Sequence, residues 1–129
     1  MKIDRIDHIA VNTVDIEESV KYYEEMFGFQ EVNRADMGEC VLVYLEINSG
    51  SYLELFDLKG DCVKGDISGN LQGLKHIAFH VDDIIAWEKK LREKKAEFVM
   101  QLTRMEPIKK DGILIKDPNG VIVELSADY

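Results

Sequence analysis

The chain has 129 residues, of which 46% are hydrophobic and 32% are charged, a composition typical of one globular domain or of two small tandem modules. Its formal net charge of −9 comes from 25 acidic and 16 basic residues, and such a surface repels phosphate backbones and anionic lipids, so neither nucleic acid nor membrane is expected as a partner. Two cysteines are too few for a disulfide framework, and we therefore expect a reducing, cytoplasmic setting.

The first half of the chain predicts a strand, a helix and then three strands. Alternating apolar residues indicate a strand over 3–11, and Asp15 is a good N-cap for a helix that Gly28 closes. Three more strands are predicted over 29–35, 40–47 and 51–57.

The second half predicts the same order of elements. A strand is expected over 74–81, followed by a helix that begins at Asp83. Asp117-Pro118-Asn119-Gly120 is a strong turn signal before the last strand. The remaining predicted strands cover about 97–102, 111–117 and 121–126. The predicted domains are a first βαβββ module over 1–58, a glycine-rich linker over 59–73 and a second βαβββ module over 74–129.

The two halves also repeat one another in sequence. His8-Ile9-Ala10 matches His76-Ile77-Ala78 at a distance of 68 positions. Glu54 matches Glu124 at a distance of 70 positions, so a shift of two residues separates the two matches. A histidine and a glutamate duplicated in nearly one frame indicate a duplicated structural unit.

The repeated histidines and glutamates are predicted to lie opposite the core. Side chains alternate between the two faces of a strand, so Leu53 and Leu55 face the core while Glu54 points away. The same alternation applies around His8, His76 and Glu124. Two neutral imidazoles and two carboxylates balance the charge of a dication, and they suit Ni, Zn, Co, Mn or Fe. A single strand histidine or glutamate is ordinarily structural, and the duplication favours metal ligands here.

Four further residues are candidates for binding a substrate. His80 shares a strand face with His76, and its repeat partner is Asn12. Both are predicted to lie in the pocket, with ordinary surface positions as the alternative. Tyr52 and Phe56 flank Glu54 on its own face, where they would line an apolar pocket or pack at a sheet or subunit contact.

With these motifs in view, the chain resembles the vicinal oxygen chelate superfamily, which includes glyoxalase I and methylmalonyl-CoA epimerase. The similar segments are Asp7-His8-Ile9-Ala10-Val11, Tyr22 to Phe29, Lys75 to Asp83, and the closing Asp117-Pro118-Asn119-Gly120 to Leu125. The resemblance covers nearly the whole chain.

This resemblance implies an α+β fold in which two tandem βαβββ modules form curled mixed sheets around a metal-binding cleft. It also implies that His8, Glu54, His76 and Glu124 bind one divalent metal ion, with Glu124 as the catalytic base and Glu54 as a ligand and possible second acid or base. A homodimer is expected by analogy. The implied reaction is that of a glyoxalase I-like lyase or isomerase, which acts on a thiohemiacetal or similar small-molecule thiol adduct through an enediolate.

Four other functions stay open from the sequence. Racemisation of the methylmalonyl-CoA epimerase type is the main alternative, and Lys75-His76-Ile77-Ala78-Phe79 suits it. Ring-cleaving dioxygenases and fosfomycin-modifying transferases of the superfamily use two histidines and one glutamate, so Glu54 counts against both. A non-catalytic protein of the bleomycin-binding type is the last alternative, and the intact His and Glu set counts against it.

Overall fold

The α+β class predicted from the sequence is confirmed, with two four-stranded mixed sheets and two α-helices in this computed structural model. The structure describes residues 1–63, 65 and 72–129. The chain divides into two units, Met1–Gly65 and Asp66–Tyr129, each of which holds one sheet and one α-helix. The predicted linker, 59–73, falls partly outside the described residues.

In the first unit the strands lie in the order β1-β4-β3-β2, and β1 runs parallel to β4. The other neighbours in this sheet are antiparallel. Helix α1 packs on one face of this sheet, where it contacts β4 and β2. The proposed ligands His8 and Glu54 belong to the opposite face. The elements of this unit are β1 (His8–Thr13), α1 (Ile16–Phe27), β2 (Gln30–Asp36), β3 (Val41–Asn48) and β4 (Ser51–Asp57).

Helix α1 begins and ends where the sequence predicts. Asp15 accepts a hydrogen bond from the Glu18 amide at 3.1 Å, which satisfies one of the free N–H groups of the first turn. Gly28 closes the helix with φ at 75°, a left-handed conformation that favours glycine. Tyr23 lies on the inner face of this helix, where it is fully buried and stacks on Phe29 with ring centroids 6.1 Å apart.

The second unit repeats this architecture with the strand order β5-β8-β7-β6 and a parallel β5–β8 pair. Asp83 caps its helix by accepting from the Ala86 amide at 2.9 Å. The elements are β5 (Ile77–His80), α2 (Ile84–Glu93), β6 (Glu97–Met105), a 3-10 turn (Glu106–Ile108), β7 (Lys110–Lys116) and β8 (Ile122–Asp128). None of the described helices has the length and apolarity that crossing a bilayer requires.

The core of each unit lies on one face of its sheet, because the buried residues alternate along the strands. In β4 the side chains of Leu53 and Leu55 are fully buried, and in β8 those of Val123 and Leu125 are almost fully buried. Each such leucine contributes about 1.5–3 kcal/mol of burial free energy. These residues flank the two repeated glutamates, whose positions on the opposite face are therefore fixed by core packing.

The first strand of each unit is shorter than predicted. The sequence indicates strands from residues 3 and 74, but β1 begins at His8 and β5 begins at Ile77. The amide of Tyr52 bonds to the carbonyl of Asp7 at 2.9 Å, next to the start of β4 at Ser51. The segment before Asp7 lies beyond the first residue of β4, Ser51. Its apolar residues alternate in sequence but form no backbone ladder with β4.

The two-residue shift in the sequence repeat lies in the connection between the second and third strands. Asp36 pairs with Val41 in the first unit, and Arg104 pairs with Asp111 at the matched place in the second. Four residues join the first pair, whereas six join the second. The two extra residues are Met105 and Lys110, which add one further pair to β6 and β7 before the 3-10 turn.

Candidate metal and substrate site

The first His–Glu pair consists of His8 and Glu54. The distance between its imidazole nitrogen and carboxylate oxygen is typical of two ligands of one metal ion. His8 Nε2 is 3.2 Å from Glu54 Oε2, and the glutamate side chain is only 7% exposed. A carboxylate with so little exposure requires polar or cationic partners. The histidine is fixed from its other side, since its Nδ1 lies 2.9 Å from Asp7 Oδ2. An Nδ1–H that donates to Asp7 leaves the Nε2 lone pair directed toward the carboxylate.

The second His–Glu pair, His76 and Glu124, has the same arrangement. His76 Nε2 lies 2.8 Å from Glu124 Oε2, and the two side chains are 31% and 14% exposed. Glu124 pairs across the sheet with Ala78, as Glu54 pairs with Ala10 in the first unit. The repeat found in the sequence is therefore also a repeat of atomic positions within each unit.

The imidazole nitrogen and the carboxylate oxygen of each pair are suitable ligands for a divalent metal ion. Neighbouring ligands on an ion with bonds of 2.0–2.2 Å lie about 3 Å apart, close to the separations in both pairs. The same separations suit a direct hydrogen bond from a protonated imidazole. Among the residues that the structure describes, no three or more His, Cys, Asp or Glu side chains are grouped for metal binding. Each unit by itself thus supplies two ligands of the proposed set.

Tyr44 lies beside the first pair and was missed by the sequence analysis. It is the cross-strand neighbour of Glu54 on β3, and its hydroxyl donates a hydrogen bond to that carboxylate. This bond, with burial and the nearby negative charge, raises the pKa of Tyr44 to about 12, so the hydroxyl keeps its proton at neutral pH. The ring also meets that of His8 edge to face, with centroids 5.9 Å apart.

Different residues surround the carboxylate of the second pair. Leu114 is the cross-strand neighbour of Glu124, at the position that Tyr44 occupies in the first unit. Glu124 Oε1 lies over Gly112, at 3.4 Å from where a Cβ would stand on that glycine. The methyl carbons of Met105 and Met100 lie 2.6 Å and 3.5 Å from the same point. The second carboxylate therefore borders an apolar surface on this side.

The remaining predicted site residues lie on the expected faces but at varied exposure. Asn12 is exposed and pairs across the sheet with the half-buried Phe56. Tyr52 is half-buried and meets the Tyr44 ring with centroids 6.0 Å apart. His80 is exposed, and its Nε2 lies 3.2 Å from Asp128 Oδ2.

Lys110 completes a small charged group next to His80. Its Nζ lies 2.5 Å from Asp128 Oδ1. This ammonium, more than the imidazole, lowers the pKa of Asp128. His80 is therefore attached to the end of β8, and the predicted substrate-binding role of this histidine stays a prediction.

Comparison with known proteins agrees with the geometry of both units. A sequence model of the Glyoxalase/Bleomycin resistance protein/Dioxygenase superfamily matches residues 5–125. The chain belongs to this superfamily. The resemblance to the vicinal oxygen chelate superfamily is thereby confirmed.

Two curated relatives align with nearly the whole of this superfamily member. Methylmalonyl-CoA epimerase of Mus musculus is 29% identical over 96% of this chain and 73% of its own length. Metallothiol transferase FosB of Bacillus licheniformis is 29% identical over 96% of this chain and 75% of its own. Both relatives are named as enzymes, and they carry out different reactions.

Solved structures of the superfamily share the fold. A glyoxylase/bleomycin resistance protein/dioxygenase domain from Frankia superposes with a TM-score of 0.85 at 17% identity, covering 99% of this chain and 94% of that one. Glyoxalase I from Zea mays superposes with a TM-score of 0.80 at 22% identity, covering 95% of this chain and 44% of that one. At such identities the likeness concerns the fold alone.

Proposed function

We propose that this chain is a divalent-metal-dependent enzyme that moves a proton at a carbon next to a carbonyl group, through an enediolate. The observation that carries the proposal is the duplicated His–Glu pair, with N–O separations of 3.2 Å and 2.8 Å in the two units. We propose that His8, Glu54, His76 and Glu124 together hold one ion of Ni, Zn, Co or Mn. When bound, such an ion would polarise the substrate carbonyl and lower the barrier to removing the neighbouring proton.

The two carboxylates have different proposed tasks. Glu124 is the proposed base that takes the proton from the substrate carbon and returns it at the new position. Glu54 is the proposed fixed ligand and second acid or base. The backbone positions of both are fixed, because core residues flank each of them on a central strand.

Two substrate classes compete for this chemistry. A glyoxalase I-like lyase acting on a thiohemiacetal is favoured by the complete set of four ligands, which includes Glu54. Epimerisation of an acyl-CoA is favoured by the curated relatives, since methylmalonyl-CoA epimerases of three organisms align at 28–30% identity. Both reactions share removal of a proton beside a carbonyl, which is the step this site is proposed to perform.

The surrounding residues supply the proposed substrate contacts. Tyr52 and Phe56 present half-buried rings next to Glu54, where they would cover the apolar part of a substrate. Asn12 and His80 are exposed polar groups on the same strand faces as the two histidine ligands. We further propose a homodimer working in the cytoplasm, as for dimeric members of the superfamily.

The proposal is tested with purified protein that has been stripped of metal and then reloaded with Ni, Zn, Co or Mn. One assay follows conversion of methylglyoxal in the presence of several thiols. The other follows uptake of deuterium from solvent into methylmalonyl-CoA. Metal-dependent turnover in either assay supports the proposal and chooses the substrate class. A protein that binds no divalent ion and captures a planar drug instead would overturn it in favour of a binding protein.

A further inference from the structure

The two units offer their carboxylates different neighbours at one matched position. Tyr44 pairs with Glu54 in the first sheet, and Leu114 pairs with Glu124 in the second. We propose that Tyr44 is a positioning residue that fixes the orientation of Glu54 as a metal ligand, a restraint that Leu114 cannot supply to Glu124. This inference rests on the proposed function, because it concerns the roles of the two carboxylates in that site.

Three contacts hold the Tyr44 side chain in place over the first pair. Its hydroxyl donates to Glu54, its ring meets His8 with centroids 5.9 Å apart, and it meets Tyr52 with centroids 6.0 Å apart. The ring is thus packed from two sides while its polar end reaches the carboxylate. A hydrogen bond to a charged group is stronger than one between neutral groups, so it restrains rotation of the glutamate side chain.

The first pair is therefore restrained through both of its members. Asp7 lies 2.9 Å from His8 Nδ1, and Tyr44 bonds to Glu54. Partners of this kind orient metal ligands, and their removal typically weakens metal binding by about 10–100-fold. Both supporting residues are absent from the matched positions of the second unit, where Lys75 and Leu114 stand.

The second carboxylate has a different cross-strand neighbour, which cannot restrain it as Tyr44 restrains the first. Leu114 has no hydroxyl to donate, and Gly112 presents no side chain beneath Glu124 Oε1. The neighbouring Met100 and Met105 end in flexible thioethers, which adapt their shape more readily than rings do. In the first unit the position of Gly112 is filled by Leu42, the cross-strand partner of Phe56.

The test measures the affinity of the full-length protein for Zn and for Ni by calorimetry, with no substrate present. Tyr44→Phe removes only the hydroxyl and is expected to weaken metal binding by about 10–100-fold. Tyr44→Leu installs the residue of the second unit and is expected to give at least the same loss. Tyr22→Phe is the matched control, a hydroxyl removed from a ring on helix α1 outside the proposed site, and its affinity is expected to equal that of the parent protein. Thermal unfolding of the metal-free variants verifies that each one is folded.

A double-mutant cycle separates this inference from the proposed function. If Tyr44 acts through Glu54, Tyr44→Phe changes metal affinity in the parent protein and causes no further change in a Glu54→Ala background. Unchanged affinity of Tyr44→Phe in the parent protein, or an equal loss in both backgrounds, would overturn the inference. Wild-type affinity in Glu54→Ala itself would instead overturn the proposed ligand set.

Discussion

The two units of the molecule are alike in the residues proposed as ligands and different in the residues around them. Each presents a histidine and a glutamate with an N–O separation of about 3 Å. Around these ligands the first unit supplies Asp7 and Tyr44, which hold the pair through polar contacts. The second unit supplies a leucine, a glycine and two methionines near its carboxylate. A duplicated fold can therefore place two His–Glu pairs alike and still surround their carboxylates with different residues.

The difference arises at positions that the fold leaves free. Core residues such as Leu53 and Val123 fix the strands, and the ligands point from the opposite face. Cross-strand neighbours on that face are not needed for the core, so tyrosine and leucine are both accepted there. In the second unit β6 and β7 have one further pair, which includes Met105, and the methyl group of this residue lies next to Gly112.

The largest expected effect comes from exchanging each glutamate for its amide. Glu124→Gln is expected to lower turnover by about 10²–10⁴-fold, because an amide does not accept the substrate proton. Glu54→Gln is expected to act chiefly by weakening metal binding, so excess metal should restore part of its turnover. Steady-state rates measured over a range of metal concentrations distinguish the two. If both variants lost turnover equally at saturating metal, the division of tasks would be wrong.

A smaller effect is expected when the second unit is given the hydroxyl of the first. Leu114→Tyr places a phenol beside Glu124, where it can donate a hydrogen bond as Tyr44 does to Glu54. Turnover is expected to fall about tenfold while metal affinity is kept or improved, because a bonded carboxylate is a weaker and less mobile base. Rates and calorimetric affinities are compared with those of Leu114→Phe, which adds the ring alone. Equal rates for the two variants would show that the hydroxyl has no such effect.

The next prediction tests the close packing beneath Glu124 without altering a ligand. In Gly112→Ala the new Cβ would stand 2.6 Å from the methyl carbon of Met105, so that side chain must shift. Because the nearest atom is the flexible end of Met105, the shift costs little, and the free energy of unfolding is expected to fall by no more than about 1 kcal/mol, measured by denaturant titration. Gly65→Ala is the matched control, since no heavy atom lies within 4 Å of its Cβ. Equal stabilities of the two variants would contradict the packing described here.

The smallest effect is expected at Asp7. Its side chain is 61% exposed, so the contact with His8 Nδ1 is screened by solvent. Asp7→Asn is expected to weaken metal binding by only about threefold, and the difference should shrink further in high salt. Calorimetry at two salt concentrations checks this. A loss as large as that of Tyr44→Phe would mean that orientation of the imidazole matters more than orientation of the carboxylate.

The sequence predicts the elements well because capping and alternation are local signals. Asp15 and Asp83 cap their helices as expected, and β4 spans the predicted residues. The duplicated histidines and glutamates were also found from local signals, since each glutamate lies between apolar strand residues and each histidine stands directly before an Ile-Ala pair. Whether they share one ion stays a prediction.

Tyr44 was missed because its place depends on strand register, which is not a local signal. The β3–β4 pairing shifts between Glu46 and Asn48, and this irregularity brings Tyr44 to Glu54. If the register of the Asn48–Ser51 pair continued along the strands without a shift, Leu45 would lie opposite Glu54. Asp7 was missed because strict alternation points it away from His8. It lies before the first residue of β1, where strand geometry does not apply.

The most direct measurement of the central claim is the number of divalent ions bound per chain, in the parent protein and in His8→Ala and His76→Ala. If the two His–Glu pairs hold one ion together, the parent protein binds one ion per chain. Each single variant then loses that ion, since both pairs are required. Two ions per chain, with one retained in each variant, would contradict the account, because each pair would then be a separate site.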